Sequence, residues 1–348
     1  MRSLAMLLSV FTVVAACATG GHPVLPDIDP LMQRYDGAVP GVSLLVMKDG
    51  VPVVRRSWGM SDLEQNIPAT PETNFRLASI TKQFTAAAIL LLVQDRKVSL
   101  DDPISRWLPS LPTSTAPVTI RHLLSHTSGI VDYEDVMAPE TSTQLLDADV
   151  LRLVEKHDST YFKPGTGYRY SNSGYALLAL IVERASGKTF AAFLRDRIFA
   201  PLGMMRTVAH QEGASVVDRR AFGYTSKNGT WLRKDQSTTS AVLGDGGIYS
   251  SIDDLAKWDA ALYDSRLLSD ESRRAAFTAH TSTDDPNIKY GFGWRISGQM
   301  LWHSGETSGF RNVILQFPAK RLTVVMLSNR DDPEPYDTAL KIAKMFGQ

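Results

Sequence analysis

The chain has 348 residues, 37 Lys plus Arg against 37 Asp plus Glu, and a single cysteine. That length buries a large core in one domain or two interleaved ones. Balanced charge without a basic run excludes an electrostatic footprint for nucleic acid, and one cysteine excludes disulfides and a thiolate metal site, so a small molecule or short peptide is the expected partner.

The first residues read as an export signal. Met1-Arg2 opens a short n-region, and Leu4 to Val14 is an apolar stretch too short to anchor as a membrane span. It ends in Val14-Ala15-Ala16-Cys17, which resembles the lipobox of bacterial lipoproteins, where cleavage leaves a cysteine that is then acylated. The alternative is ordinary signal-peptidase cleavage near Ala16-Cys17-Ala18. The expectation is a lipoprotein signal peptide over residues 1–17, a Gly/Pro-bearing tether over 18–27, and a domain over 28–348. Lipidation at Cys17 would hold that domain to a membrane in the cell envelope, facing the periplasm in a Gram-negative cell.

A short helix is expected near Pro30 to Tyr35. Gly41 to Lys48 and Val51 to Trp58 then flank Asp49-Gly50, a strong signal for a two-residue hairpin turn. Next comes Phe75-Arg-Leu-Ala-Ser79-Ile-Thr-Lys82-Gln-Phe84, which runs straight into apolar Thr85 to Val93. Apolar residues close most of this helix's circumference, so it is a buried one. Its polar start stands out, because Ser79 and Lys82 are one turn apart on one face. A helix N-terminus with free N–H groups suits a nucleophile whose product carries an oxyanion.

Between Asp101 and about Asp245 the pattern turns helical. Thr119 caps Ile120 to Ser125, Ser173 to Ala185 ends at Gly187, and Thr189 to Ile198 forms another helix. Ser251-Ile-Asp-Asp254 reads as a capping box that opens the helix carrying Leu255, Trp258, Ala261 and Leu262. Strands are expected at Gly291 to Ser297, Gln299 to His303, Phe310 to Phe317 and Leu322 to Ser328, before a last helix from Tyr336 to Phe346. The fold class is therefore α+β: two early and roughly three late strands in one antiparallel sheet, covered by terminal helices, with a mainly helical lobe over about 101–245 inserted beside it. The active cleft is expected between the lobes.

Ser-x-x-Lys is the first catalytic element of penicillin-recognising serine enzymes. Ser79-x-x-Lys82, Tyr170-x-Asn172 and His303-Ser304-Gly305, each present once and in that order, resemble the three motifs of the class C β-lactamase, DD-peptidase and esterase superfamily. Thr119 to Gly129, Pro201-Leu-Gly-Met204 and Gly244 to Ser250 are similar to phrases of the same family, so the likeness runs from about Asp27 to the end. The resemblance implies a β-lactamase/transpeptidase-like fold and no cofactor. It makes Ser79 the acylated nucleophile, Lys82 its base or proton partner, and Tyr170 the relay to the leaving group. A phenol serves as a base only where a cation such as Lys82 stabilises its phenolate, and the choice between the two stays open. Asn172 would hold the acyl-side amide, and Gly305 would leave room for substrate along the strand of the third motif. The backbone N–H groups of Ser79 and Glu306 would form the oxyanion hole.

One position departs from the lactamase pattern. His303 stands where lysine is usual, which resembles the soluble DD-carboxypeptidases and D-aminopeptidases, and a neutral imidazole is a weaker carboxylate anchor than an ammonium. The expected function is an exported serine hydrolase that acylates Ser79 with a D-alanine-type peptide, amide or ester, peptidoglycan-derived substrates included. The alternatives are a β-lactamase, or a penicillin-binding or sensing lipoprotein without turnover. No metal is expected: His122 and His126 are four apart but lack an intervening Glu and a third ligand, so packing roles are favoured. Gly187-Lys-Thr189 lacks the earlier glycine of a phosphate-binding loop.

Overall fold

The computed structural model describes residues 26–348. The expected signal peptide, Cys17 and residues 18–25 of the expected tether lie outside the described residues. Strands β1 (Val42–Lys48) and β2 (Val51–Trp58) turn on Asp49 and Gly50, whose φ angles of 51° and 83° are both left-handed. Such a turn matches the natural twist of the strands it joins. The sheet continues with β3 (Thr281–Ser282), β4 (Lys289–Tyr290), β5 (Arg295–Ser297), β6 (Met300–Thr307), β7 (Phe310–Phe317) and β8 (Leu322–Ser328). Its order is β3-β4-β5-β6-β7-β8-β1-β2 and every pairing is antiparallel. The early hairpin thus docks on the last strand, with Val42 opposite Ser328.

Six late strands stand where roughly three were expected. The stretch Gly291 to Ser297 is not one strand, because Gly293 takes φ 77° and a Cβ on it would lie 2.7 Å from the Lys82 carbonyl oxygen. The chain there crosses the backbone of the helix that bears Lys82, and only glycine permits so close a pass. The strand expected to stop at His303 runs on through the third motif to Thr307.

Successive strand residues point to opposite faces, and both faces are covered. Leu44, Val46, Val313, Leu315, Val324 and Met326 pack with Met32 near the N-terminus and with Ala339 and Ile342 of the last helix (Tyr336–Met345). Leu45, Ile314, Val325 and Leu327 join the larger core on the other side. Burial on both faces is why these strands read as continuous apolar runs instead of alternating ones.

That larger core is built around helix α1 (Thr81–Gln94), buried from Thr81 to Leu92 and preceded by a single tight turn, Ala78–Ile80. Helix α3 (Asn172–Ser186) packs beside it, α2 (Ile120–Leu124) packs against α3, and α4 (Ile252–Ala261) covers β1 and β8. α3 ends on Gly187 in the left-handed conformation, φ 72°, as its sequence predicts. The region expected to be helical also holds a hairpin, Tyr224–Lys227 with Thr230–Arg233, turning on Asn228-Gly229. At α4, Ser251 Oγ accepts the Asp254 N–H at 3.3 Å, but the return bond of a capping box is not made. The Asp254 carboxylate instead takes the N–H groups of Arg206 and Thr207, each at 3.0 Å.

Candidate active site

Ser79 sits on the tight turn that opens α1, directly after Ala78, which holds φ 49°. A left-handed conformation costs an alanine about 1–2 kcal/mol, so the surroundings must impose it. They do so from two sides: Leu77 N–H bonds the Ile248 carbonyl at 2.8 Å, and the Leu77 carbonyl lies against Gly305. The turn presents Ser79, half-buried, one helical turn from a fully buried Lys82.

Lys82 Nζ donates to Ser79 Oγ at 3.0 Å, to Asn172 Oδ1 at 2.8 Å and to the Asp245 carbonyl at 2.9 Å. These three acceptors match the three donors of an ammonium. Burying such a charge costs several kcal/mol, which close acceptors offset. In its neutral form the same amine keeps two N–H bonds, to Asn172 and Asp245, and turns its lone pair to Ser79 Oγ.

Each acceptor is itself fixed. The N-terminus of α3 is capped by Ser171 Oγ, and Asp132 Oδ2 accepts the N–H groups of Asn172 at 2.6 Å and Ser173 at 3.2 Å. The Asn172 amide is thereby oriented with its oxygen on Lys82 and its Nδ2 donating to Glu134 Oε1 at 3.2 Å. Asp245 lies on the turn Leu243–Gly246, where a Cβ on Gly244 would come within 2.3 Å of the Tyr175 carbonyl oxygen. The Asp147 carboxylate accepts the Leu243 and Gly244 N–H groups at 3.0 and 2.9 Å, and burial pushes its carboxyl up to about 7. The Asp245 carboxyl accepts the Tyr133 hydroxyl at 2.9 Å and is likewise pushed up to about 7 by burial, against the pull of Lys82.

Tyr170 comes to the same place from the loop before α3. Lys82 Nζ is 4.9 Å and the Arg295 guanidinium carbon 5.5 Å from its ring centroid. Its buried hydroxyl has no hydrogen-bond partner among the described residues. The amine in contact with Ser79 Oγ is thus that of Lys82, while Tyr170 holds a hydroxyl without a partner among the described residues.

The third motif lies on β6. The sequence leads one to expect His303 facing substrate, but its ring is buried and both nitrogens serve the protein. Nδ1 donates to the Ser304 carbonyl at 2.6 Å, and Nε2 accepts the Tyr290 hydroxyl at 3.0 Å. Burial, with the charges of Arg295 and Lys82, holds the imidazole well below its usual pKa and therefore neutral. It locks β6 to β4 and keeps no N–H for a ligand. Gly305 likewise serves the protein: a Cβ there would lie 2.0 Å from the Leu77 carbonyl oxygen, so the space expected for substrate is taken by the turn that carries Ser79.

Two hairpins fix which way β6 points its donors. Met300 pairs with Ser297 and Trp302 with Arg295 on β5, while Thr307 pairs with Phe310 on β7. By antiparallel alternation the N–H groups of Ser304 and Glu306 face away from β7, over the open edge beyond β5 where the Ser79 turn approaches. The Glu306 side chain is exposed and Ser304 half-buried. Ser79, Glu134, Asn172, Asp245 and Glu306 line a narrow pocket of about 50 Å³. Larger hollows of about 490 and 570 Å³, beside Tyr263 and beside Met205, contain none of Ser79, Lys82 and Tyr170.

His122 has a structural role, since Nδ1 accepts the Thr119 N–H at 3.2 Å as the return bond of an α2 capping box. No cluster of metal-ligating side chains occurs among the described residues. Sequence reasoning missed Glu134, Asp245 and Tyr290, and took His126 only as packing. For Asp245 the run Gly244-Asp-Gly-Gly247 marked a tight turn, whereas nothing local marked Glu134 or Tyr290.

Residues 27–346 match the Beta-lactamase family. Penicillin-binding protein 4* of Bacillus subtilis is 33% identical over 328 residues, covering 88% of this chain and 72% of that protein. A D-aminopeptidase of Gluconobacter oxydans is 30% identical, and this chain spans only 61% of its length, against 92% of its own. The D-amino acid amidase of Ochrobactrum anthropi SV3, solved with L-phenylalanine amide, superposes with a TM-score of 0.78 at 28% identity, covering 92% of this chain and 98% of that one. With its Ser79–Lys82 pair at the start of a buried helix beside an antiparallel sheet, this chain belongs to the beta-lactamase family and is a serine hydrolase.

Proposed function

We propose that this hydrolase cleaves amides, short peptides and esters of D-amino acids such as D-alanine, and that it favours substrates with a free ammonium group. The observation that carries this reading is the charge of the pocket. Glu134 and Glu306 line it with Asn172 between Lys82 and Glu134, outnumbering the one cation of the lining, Arg76, which is buried and donates to the Ser240 carbonyl at 2.6 Å, and no lysine stands at the third motif to attract a carboxylate. An acidic mouth favours a cation and opposes the carboxylate that penicillins and cephalosporins carry. The similar D-aminopeptidase and D-amino acid amidase support the D-configured amide.

In this reading Ser79 Oγ bonds to the acyl carbon and its proton passes to neutral Lys82 Nζ. The N–H groups of Ser79 and Glu306 hold the oxyanion, each worth about a hundredfold or more in rate. The C–N bond then breaks, and the departing amine takes its proton through the Tyr170 hydroxyl. Water hydrolyses the ester on Ser79, with the same groups moving the proton back. Residues 1–17 would direct export, and acylation of Cys17 would anchor the domain in the cell envelope.

The test is a panel of D-alanyl nitroanilide, its N-acetyl derivative, a D-Ala-D-Ala peptide, a nitrophenyl ester and a chromogenic cephalosporin, on protein lacking residues 1–17. The free-amine D-anilide should outrun its acetylated form. Glu134→Gln should raise KM for the free amine about tenfold, the worth of roughly one charge-assisted contact, and leave the acetylated substrate unchanged. A cephalosporin hydrolysed faster than every ester and amide makes the protein a β-lactamase and removes this proposal.

A further inference from the structure

His126 holds φ 59° in the loop after α2, a conformation that a histidine adopts only when its surroundings require it. Its ring is fully buried. Nδ1 accepts the Ser171 N–H at 3.0 Å, and its backbone carbonyl accepts the Arg169 N–H, also at 3.0 Å. The two peptide N–H groups that flank Tyr170 in sequence therefore both end on this one residue. The imidazole also lies against the Tyr170 ring, 4.3 Å between centroids at an interplanar angle of 33°. Tyr290 and Tyr175 close the ring in at 4.5 and 5.1 Å.

The bond from Ser171 decides the tautomer. An Nδ1 that accepts must be unprotonated, so in the neutral ring the proton is on Nε2. Nε2 has no hydrogen-bond partner among the described residues, and neither has the Tyr170 hydroxyl. Burial, with the charges of Lys82 and Arg295 nearby, keeps the ring neutral. A charged ring would put a proton on Nδ1 and break the clamp on Ser171. His126 thus fixes the Tyr170 main chain on both sides and its ring from one face, and leaves the phenol oxygen unspent.

We propose that His126 is a positioning residue for Tyr170: it holds the phenol in register with Lys82 while leaving the hydroxyl free to hand a proton to the departing group. The inference rests on the reading of Tyr170 as that relay. Its consequence depends on the leaving group. An amine leaves only with a proton, whereas nitrophenolate leaves without one, so a displaced Tyr170 slows amide cleavage more than cleavage of a nitrophenyl ester. A shift of about 1 Å in a catalytic group is worth on the order of a hundredfold.

Two variants separate the contacts. His126→Asn retains an acceptor near Nδ1 and loses the ring, while His126→Phe retains the ring and leaves the Ser171 N–H without an acceptor. Each is measured alone and with Tyr170→Phe, on D-alanyl nitroanilide and on a D-alanyl nitrophenyl ester. We expect kcat on the anilide to fall about 10- to 100-fold in His126→Phe, with KM within about threefold, and to recover in part in His126→Asn. The ester should lose less than about fivefold. In the double variants the anilide rate should be no lower than in Tyr170→Phe alone, because a residue that acts through another adds nothing once the other is gone. Equal losses on both substrates, or losses that multiply in the double variants, would overturn the positioning role. Wild-type anilide activity in Tyr170→Phe would instead remove the relay itself, a different failure read from a different variant. Circular dichroism and melting curves accompany each variant; a His126→Phe protein that does not fold leaves His126→Asn and its double variant to decide.

Discussion

Replacing Lys82 with alanine is expected to lower kcat/KM on D-alanyl amides by roughly a thousandfold or more, the range for losing a positioned general base. The loss should appear in kcat, because the amine contacts Ser79 Oγ at 3.0 Å and not the pocket mouth where a substrate ammonium would bind. The same variant strips the Asn172 amide and the Asp245 carbonyl of their shared donor. Ser79→Ala should be about as severe, and the double variant hardly worse than either single, since groups that act as one unit are non-additive. The check is steady-state kinetics on the three proteins with active-site titration. Multiplicative losses would show that Lys82 acts elsewhere than on Ser79.

Gly305→Ala should be nearly as damaging without touching a side chain that does chemistry. The new Cβ would sit 2.0 Å from the Leu77 carbonyl oxygen and 3.4 Å from the Ala78 Cβ. Both contacts are on the turn that carries Ser79, and one is backbone, which cannot rotate away. Overpacking of this kind costs about 1–3 kcal/mol. The relief available is to part β6 from the turn, which moves the Glu306 N–H away from the Ser79 N–H and opens the oxyanion hole. A fall of about a hundredfold in kcat, with Tm lower by several degrees, is the expected result in kinetics and calorimetry. Unchanged kcat together with unchanged Tm would contradict the close approach. Because the effect passes through the backbone, Ser304→Ala on the neighbouring residue serves as the mild control.

Local chemistry made the first hairpin legible, since Asp49-Gly50 supplies the two left-handed residues that a tight turn demands. The same signal at Asn228-Gly229 forms a second hairpin inside a stretch whose surroundings read as helical. The apolar circumference of α1 announced its burial, and its polar start marked Ser79 and Lys82, which the fold brings within hydrogen-bond distance. What stayed hidden depends on distance along the chain. Gly293 and Gly305 look like flexible strand residues, yet each is fixed by a backbone contact to the α1 region. His303 is marked by its motif, but that its ring nitrogens face Tyr290 and Ser304 follows only once β4 and β6 are in one sheet. His126 and Ser171 are far apart in sequence, and no periodicity announces the bond between them.

The central claim is a covalent one, and mass spectrometry reads it most directly. Protein lacking residues 1–17 is mixed with a D-alanyl nitrophenyl ester, quenched in acid within the first turnovers, and digested. The account predicts a D-alanyl adduct on the peptide that contains Ser79, absent from Ser79→Ala. An adduct that persists in Ser79→Ala, or one that maps to another residue in the wild type, would contradict it.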